Sequence, residues 1–220
     1  MQFQRGGPSF EGPSSFPTPM IWSDKTLQEI MAEAKAATIH EAREYVSGAS
    51  RDGTFNRLHS TLRISQADPR WLEVLGLLFT KLGSRSWIYR EGKRNVWVIE
   101  TTYRLHQSEK FRGKFERAAF ARGYFDAEGG IPRNPCDRFY LQFVQKDQAD
   151  LKGLRSDLLH VGIRCGSLHN PSSRIDPDYW RFYVLAKSHQ EFLRRVGSWH
   201  PRKRRLLESR SGGTYQSNTR

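Results

Sequence analysis

The chain has 220 residues and a formal net charge of +13, with 36 Lys and Arg against 23 Asp and Glu. A hydrophobic content of 37% with 12% aromatic residues can fill the core of one duplicated domain or two small ones, which excludes a disordered chain. No apolar run approaches membrane-spanning length and no charged start leads into an apolar leader core, so a soluble protein is expected, and Lys and Arg spread along the whole chain favour a polyanionic partner.

Residues 1 to about 22 are rich in Gly, Pro, Ser and Phe without helical or strand period, and read as a flexible extension. Lys25 to Ala37 follows as an amphipathic helix, because Leu27, Ile30, Met31 and Ala34 recur at helical spacing. Thr38 with Glu41 forms a capping-box pattern that restarts the chain as a helix near Ile39. That helix ends near Asp52-Gly53, and a short strand pair then runs to Gln66. A second helix spans Trp71 to Leu82. Ser86 to Tyr89 and Val96 to Ile99, rich in aromatic and β-branched residues, flank a turn at Glu91-Gly92-Lys93.

The run from Phe120 to Gly130, FARGYFDAEGG, reads as another helix with small residues, ending in a carboxylate and a glycine pair. Gln145 closes the next strand pair, a helix spans Ala149 to His160, and Arg181 to Leu185 is the counterpart of the aromatic hairpin. A basic run, Arg202 to Arg205, follows the last helix, and from Ser209 onward Ser, Gly, Asn and Thr form a tail. The order repeats: Glu128 lies 76 residues after Asp52, Gln145 lies 79 after Gln66, and Val161-Gly162 lies 79 after Leu82-Gly83. Cys136 and Cys165 form no C-x-x-C pair and read as packing residues in a reducing compartment, while the seven histidines show no HExxH or other ligand spacing.

Gly123, Asp126, Ala127, Glu128 and Gly129 fall on the positions of the motif that names the LAGLIDADG homing endonucleases, and the run resembles that motif more closely than Tyr45 to Phe55 does. The resemblance implies an α+β fold, a duplicated αββαββα unit with pseudo-twofold symmetry and antiparallel DNA-binding sheets. It divides the chain into an N-terminal extension at 1–38, a first half at 39–107, a second half at 108–208 and a flexible tail at 209–220. It also implies a monomer that cuts both strands of duplex DNA, with Asp52 and Glu128 as the carboxylates that bind Mg²⁺ or Mn²⁺. Gln66 and Gln145 take the place of the family's active-site glutamine. Lys203, with Lys114 or Lys110 as first-half counterpart, takes that of the lysine near the scissile phosphate. A β-ribbon fits the major groove, so Arg57, Arg63, Arg85, Arg90, Lys93, Arg133, Arg138, Gln142, Arg164, Arg174, Arg181, Arg202 and Arg204 are candidate DNA contacts, about half of them expected on the wrong face.

The first motif departs from the pattern. Ser47 stands at the glycine position, Ser50 at that of the first acid, and Arg51 and Arg122 are bulky where small residues are usual, which puts close helix contact in question. The departures sustain an alternative, a nucleic-acid-binding protein of the same descent that no longer cuts, such as an intron RNA maturase or a regulator. A cytoplasmic location is expected, with an organelle also open.

Overall fold

The structure, a computed structural model, describes residues 24–93, 95–105, 113–134 and 136–211. Helix α1 (Lys25–Ala36) starts where Asp24 accepts a hydrogen bond from the Thr26 N–H at 3.1 Å, and it buries Leu27, Ile30 and Ala34 on one face. Helix α2 (Ile39–Ala49) opens on the reciprocal box: Glu41 N–H donates to Thr38 Oγ1 at 3.1 Å, and Thr38 N–H to Glu41 Oε2 at 2.8 Å. Strands β1 (Gly53–Asn56) and β2 (Thr61–Gln66), helix α3 (Arg70–Lys81), and strands β3 (Ser86–Arg90) and β4 (Trp97–Thr101) follow. They form an antiparallel sheet in the order β1-β2-β4-β3.

Helix α4 (Lys114–Glu128) begins the second half, followed by β5 (Gly129–Gly130), β6 (Gln142–Gln145), α5 (Gln148–His160), β7 (Trp180–Tyr183), α6 (His189–Arg195) and α7 (Pro201–Ser211). The second sheet has the order β5-β6-β7. The hairpin expected around β7 is incomplete. Its partner is reduced to two isolated bridges, Cys165 to Val184 and His169 to Arg181, and the chain beyond His169 loops out, with the Asn170 amide donating to the Asp176 and Pro177 carbonyls at 2.9 and 2.8 Å. No helix forms between β4 and residue 105, while 106–112, including the candidate Lys110, lie outside the described residues. Helix α7 runs past the boundary expected at 208, and Cys136 is exposed where a packing role was expected.

Apolar side chains collect into two clusters, one per half. The first gathers α1, α2, α3 and the inner faces of β2 and β4, so the extension helix closes an edge of that core. The second gathers α4, α5, α6 and the inner faces of β6 and β7 around Phe125, Phe143, Phe182 and Phe192. Trp199 belongs to the first core although it lies late in the chain, which ties the C-terminal segment back across the molecule.

The two halves meet where α2 packs against α4, the most extensive contact between elements. A Cβ on Gly48 would lie 2.2 Å from the Phe120 carbonyl oxygen and 2.6 Å from the Tyr124 nitrogen; one on Gly123 would lie 2.0 Å from the Tyr45 oxygen and 2.9 Å from the Ala49 nitrogen. The backbones touch at this crossing, and only glycine fits on either side. The first-half glycine is Gly48, not the position of Ser47. The two bulky arginines leave the crossing clear. Arg51 turns to Asp150 at 2.8 Å along the rings of Phe120 and Tyr124, and Arg122 donates to the Val196 carbonyl with its guanidinium 4.6 Å from the Trp199 ring.

Gly48 and Gly123 are 75 residues apart, but Asp52 and Glu128 are 76 apart. The first helix makes up the difference by tightening into a 3₁₀ turn over Ser50–Asp52. At about 2.0 Å rise per 3₁₀ residue against about 1.5 Å per α residue, four residues in the first motif and five in the second each advance roughly 7.5 Å. Both acids thus reach the same depth below the crossing.

Gly48→Ala and Gly123→Ala are each expected to destabilise the protein by about 3 kcal/mol, because the added methyl meets backbone that cannot swing away. Alanine by itself favours a helix by about 1 kcal/mol over glycine, so the sign of the change in a denaturant midpoint is decisive. An unchanged or raised midpoint would show that the helices are not in backbone contact.

Candidate active site

Helix α2, through its 3₁₀ turn, feeds directly into β1, and α4 feeds directly into β5, so Asp52 and Glu128 are the last helical residues before the two sheets. Gln66, at the end of β2, reaches back and donates from Nε2 to Asp52 Oδ2 at 2.9 Å. Asp52 opens to solvent, yet the protein crowding its carboxyl raises its proton affinity, opposed by the Gln66 hydrogen bond and the charge of Lys203. Burial raises the Glu128 carboxyl too. The negative charge of Asp52 adds to that rise, and Lys203 again opposes it. The two carboxylates therefore lie within electrostatic reach of each other and of one buried ammonium. The second half does not repeat the glutamine: Gln145 Oε1 accepts from the Lys146 N–H at 2.8 Å and makes no hydrogen bond to Glu128.

Behind the pair sits Asp126, fully buried. It accepts from Tyr45 Oη at 2.7 Å, from the Trp199 N–H at 2.8 Å and from the Ser198 hydroxyl, while Trp71 Nε1 donates to Tyr45 Oη at 2.8 Å. Two segments, α2 and residues 198–199, thus converge on one carboxylate, with α3 behind them through Tyr45. The sequence carried a sign of this in the motif's first acid, but Tyr45, Ser198 and Trp199 could be found only by folding. The corresponding Ser50 makes a local bond instead, donating to the Val46 carbonyl at 2.7 Å.

Lys203 corrects an expectation. It is 5% exposed, and its Nζ donates to the Phe125 and Asp126 carbonyls at 2.6 and 2.9 Å, above the Phe125 ring. The ammonium caps the C-terminal carbonyls of α4, where a cation also meets the negative end of the helix dipole. Burial brings its pKa down to about 8, against the pull of Asp126, Glu128 and Asp52. Facing inward, it does not reach for a bound phosphate. Lys114 is in the first turn of α4, and at about 1.5 Å per residue it lies roughly 21 Å from Glu128, so it is not part of this site. Next to Lys203, Arg202 is exposed, and the charge of Arg133 acts on it. Both guanidiniums are exposed.

Strand parity sorts the other candidates. Leu62, Ile64, Ile88 and Ile99 face the first core, so Arg63, Trp87, Tyr89 and Glu100 share the outer face. Arg63 is bonded on that face, to Glu91 at 2.9 Å and to Tyr89 Oη at 3.0 Å. Phe143 and Phe182 face the second core, which puts Gln142 and Arg181 on the outer face of that sheet. Arg90 has inward parity at an exposed strand end. Arg57 and Lys93 lie in turns, Arg85 lies just before β3, and Arg133, Arg138, Arg164 and Arg174 lie in loops. Arg204 pairs with Glu33 of α1 at 2.9 Å and with Glu208 at 2.5 Å, which fastens α7 to α1. His200 is buried against Trp71, and burial with the charges of Lys203 and Arg202 drives its pKa down to about 3.

The donor set at the seam suits a divalent cation. Two carboxylates supply the hard oxygen donors such an ion takes, and a cation between them would relieve the repulsion of Asp52 on Glu128. Among the described residues no group of three or more His, Cys, Asp or Glu that could hold a metal ion is gathered, so the two seam carboxylates would be the only side-chain ligands of this kind there.

No protein-family model and no curated protein matches the chain. Solved structures do. The homing endonuclease I-DmoI in complex with DNA and Mn aligns with a TM-score of 0.54 at 14% identity, over 73% of this chain and 98% of that one. The N-terminal LAGLIDADG domain of DUF199/WhiA aligns with a TM-score of 0.60 at 19% identity, over 78% and 91%. Full-length DUF199/WhiA from Thermatoga maritima aligns with a TM-score of 0.57 at 17% identity, over 87% and 68%. At these identities the likeness establishes the fold, which is α+β and LAGLIDADG-like, as the motif implied.

Because folding raises the Asp52 and Glu128 carboxyls above their unfolded values, their protonated forms favour the fold. That stability is present below the ordinary carboxylate range and is lost as pH rises through the raised values. Glu128→Gln is therefore expected to raise the melting temperature at neutral pH and to have little effect below about pH 4. A variant less stable than the parent at neutral pH would show that attraction to Lys203 outweighs burial and the charge of Asp52.

Proposed function

We propose that the chain is a site-specific double-stranded DNA endonuclease acting as a monomer, with Asp52 and Glu128 holding Mg²⁺ or Mn²⁺ between its halves. The observation that carries this reading is the placing of two helix-end carboxylates within electrostatic reach at the one seam the halves share. Packing alone gives no reason for it. Like charges crowded together cost stability, and a nucleic-acid backbone would add to the repulsion unless a cation intervened. The fold shared with I-DmoI, whose structures include complexes with DNA and Mn, Mg or Ca, supports the reading, as does the net charge of +13.

A divalent ion bound by Asp52 and Glu128 would polarise a phosphate and acidify a coordinated water. The chain's own residues do the rest. Gln66 fixes the orientation of the Asp52 carboxylate through Oδ2, leaving Oδ1 as the freer oxygen. Exposed Arg202 and Arg133 would offset phosphate charge. The outer face of the first sheet forms the duplex-docking surface, and the glycine crossing sets the spacing between the acids.

A second reading, a nucleic-acid-binding protein of the same fold that does not cut, such as an intron RNA maturase or a regulator, is favoured by one observation. The Lys203 ammonium already acts on both carboxylates as an internal cation.

Asp52→Asn and Glu128→Gln are each expected to abolish double-strand cleavage of a randomised duplex-site library while leaving duplex affinity unchanged or slightly higher, since each removes a negative charge near phosphate. Parental cleavage should stop with a chelator. A parent that binds duplex but cuts nothing with Mg²⁺ or Mn²⁺ would select the second reading. A variant of either acid that cuts at the parental rate would remove the paired-carboxylate mechanism. Affinity should also fall steeply with salt, and a flat plot of log affinity against log salt would contradict a broad phosphate interface.

A further inference from the structure

The outer face of the second sheet carries a cluster that cleavage does not use. Tyr140 and Tyr183 meet edge to face with ring centroids 6.0 Å apart, and His169 stacks on Tyr183 at 6.0 Å and 27°. The Arg181 guanidinium lies over the Tyr183 ring, 5.3 Å from its centroid, and its Nε donates to His169 Nε2 at 3.3 Å. The other ring nitrogen of His169, Nδ1, sits 3.2 Å from the Ser167 carbonyl oxygen. All four side chains are half-buried and turned away from Phe143 and Phe182, so they support no hydrophobic core. Gln142 stands beside them, opposite Tyr183 in register.

We propose that this face is a stacking site for unpaired nucleobases of a single nucleic-acid strand. Two features separate it from a reader of duplex base edges. A guanidinium that reads guanine in the major groove presents its fork outward, whereas that of Arg181 is laid over one ring and tied to another. Ring faces and a flat guanidinium recognise the face of a base, which is covered in a duplex and free in a single strand. The sheet is also narrow, with only isolated bridges where a fourth strand would stand, so it offers a platform for one strand rather than a ribbon for a groove. Exposed Arg164 and Arg174, in the chain leading into β7, supply charge for the strand's phosphates. The inference rests on the nucleic-acid-binding part of the proposed function and not on cleavage.

The test is fluorescence anisotropy of the full chain with labelled oligo(dT), oligo(U) and a mixed-sequence duplex at one salt concentration. Tyr183→Ala and Tyr140→Ala are expected to weaken single-strand binding by about tenfold or more and duplex binding by less than about twofold, with Tyr183→Phe close to the parent. His169→Ala, in the loop beside β7, keeps the test open if Tyr183→Ala fails to fold, and should weaken single-strand binding in the same sense. The ratio of oligo(U) to oligo(dT) affinity tells whether the strand is RNA or DNA. Equal losses on single strand and duplex would overturn the proposal by making the face a duplex contact. A parent that binds duplex but neither single strand would overturn it while leaving the endonuclease reading intact.

Discussion

The architecture depends on a backbone-to-backbone crossing of two helices. With Gly48 against Phe120 and Tyr124, and Gly123 against Tyr45 and Ala49, α2 and α4 approach more closely than any side chain would allow. That contact joins two hydrophobic cores, which Trp199 also links from the C-terminal segment. Everything at the site follows from the last turn after the crossing. One helix finishes in α geometry and the other in 3₁₀ geometry, so an unequal count of residues brings two acids to one level.

The neighbourhood of those acids is less symmetrical than the backbone. In the second half, Asp126 is surrounded by donors from Tyr45, Ser198 and Trp199, and Lys203 closes the end of α4, so Glu128 stands on a heavily braced helix terminus. In the first half, Ser50 bonds only within its own helix and Asp52 is steadied by Gln66. A buried carboxylate with several donors and a nearby ammonium is costly to take apart, because removing one partner strands the others. The asymmetry gives each acid a different kind of support: a rigid network behind Glu128, and one exposed amide beside Asp52.

Much of this was legible in the sequence where a local pattern decides local structure. The Thr38–Glu41 box, the Leu27, Ile30 and Ala34 stripe, and the acid-glycine pairs at 52–53 and 128–129 each imply an element end or a face, and the chain folds that way. Register failed by one position at Ser47 because a 3₁₀ turn leaves no reliable trace in composition, and counting residues back from Asp52 assumes α spacing. Lys203 misled for another reason: a lysine in a basic run reads as solvated, and only the fold shows that its ammonium turns inward to two carbonyls. Arg63 has outward parity on β2, yet its pairing with Glu91 depends on the β3–β4 turn coming back over β2. The loss of the strand opposite β7 likewise reflects a loop, held by Asn170, that no periodicity announces.

The central claim is that the crossing exists to present two carboxylates to one divalent ion. Crystals of the full chain grown with Mn²⁺ and a bound duplex, recorded at the manganese absorption edge, test it most directly. An anomalous peak in contact with both Asp52 and Glu128 is expected. A peak at neither residue, with Lys203 still capping α4 and the duplex in place, would show that the acids serve the fold alone and would contradict it.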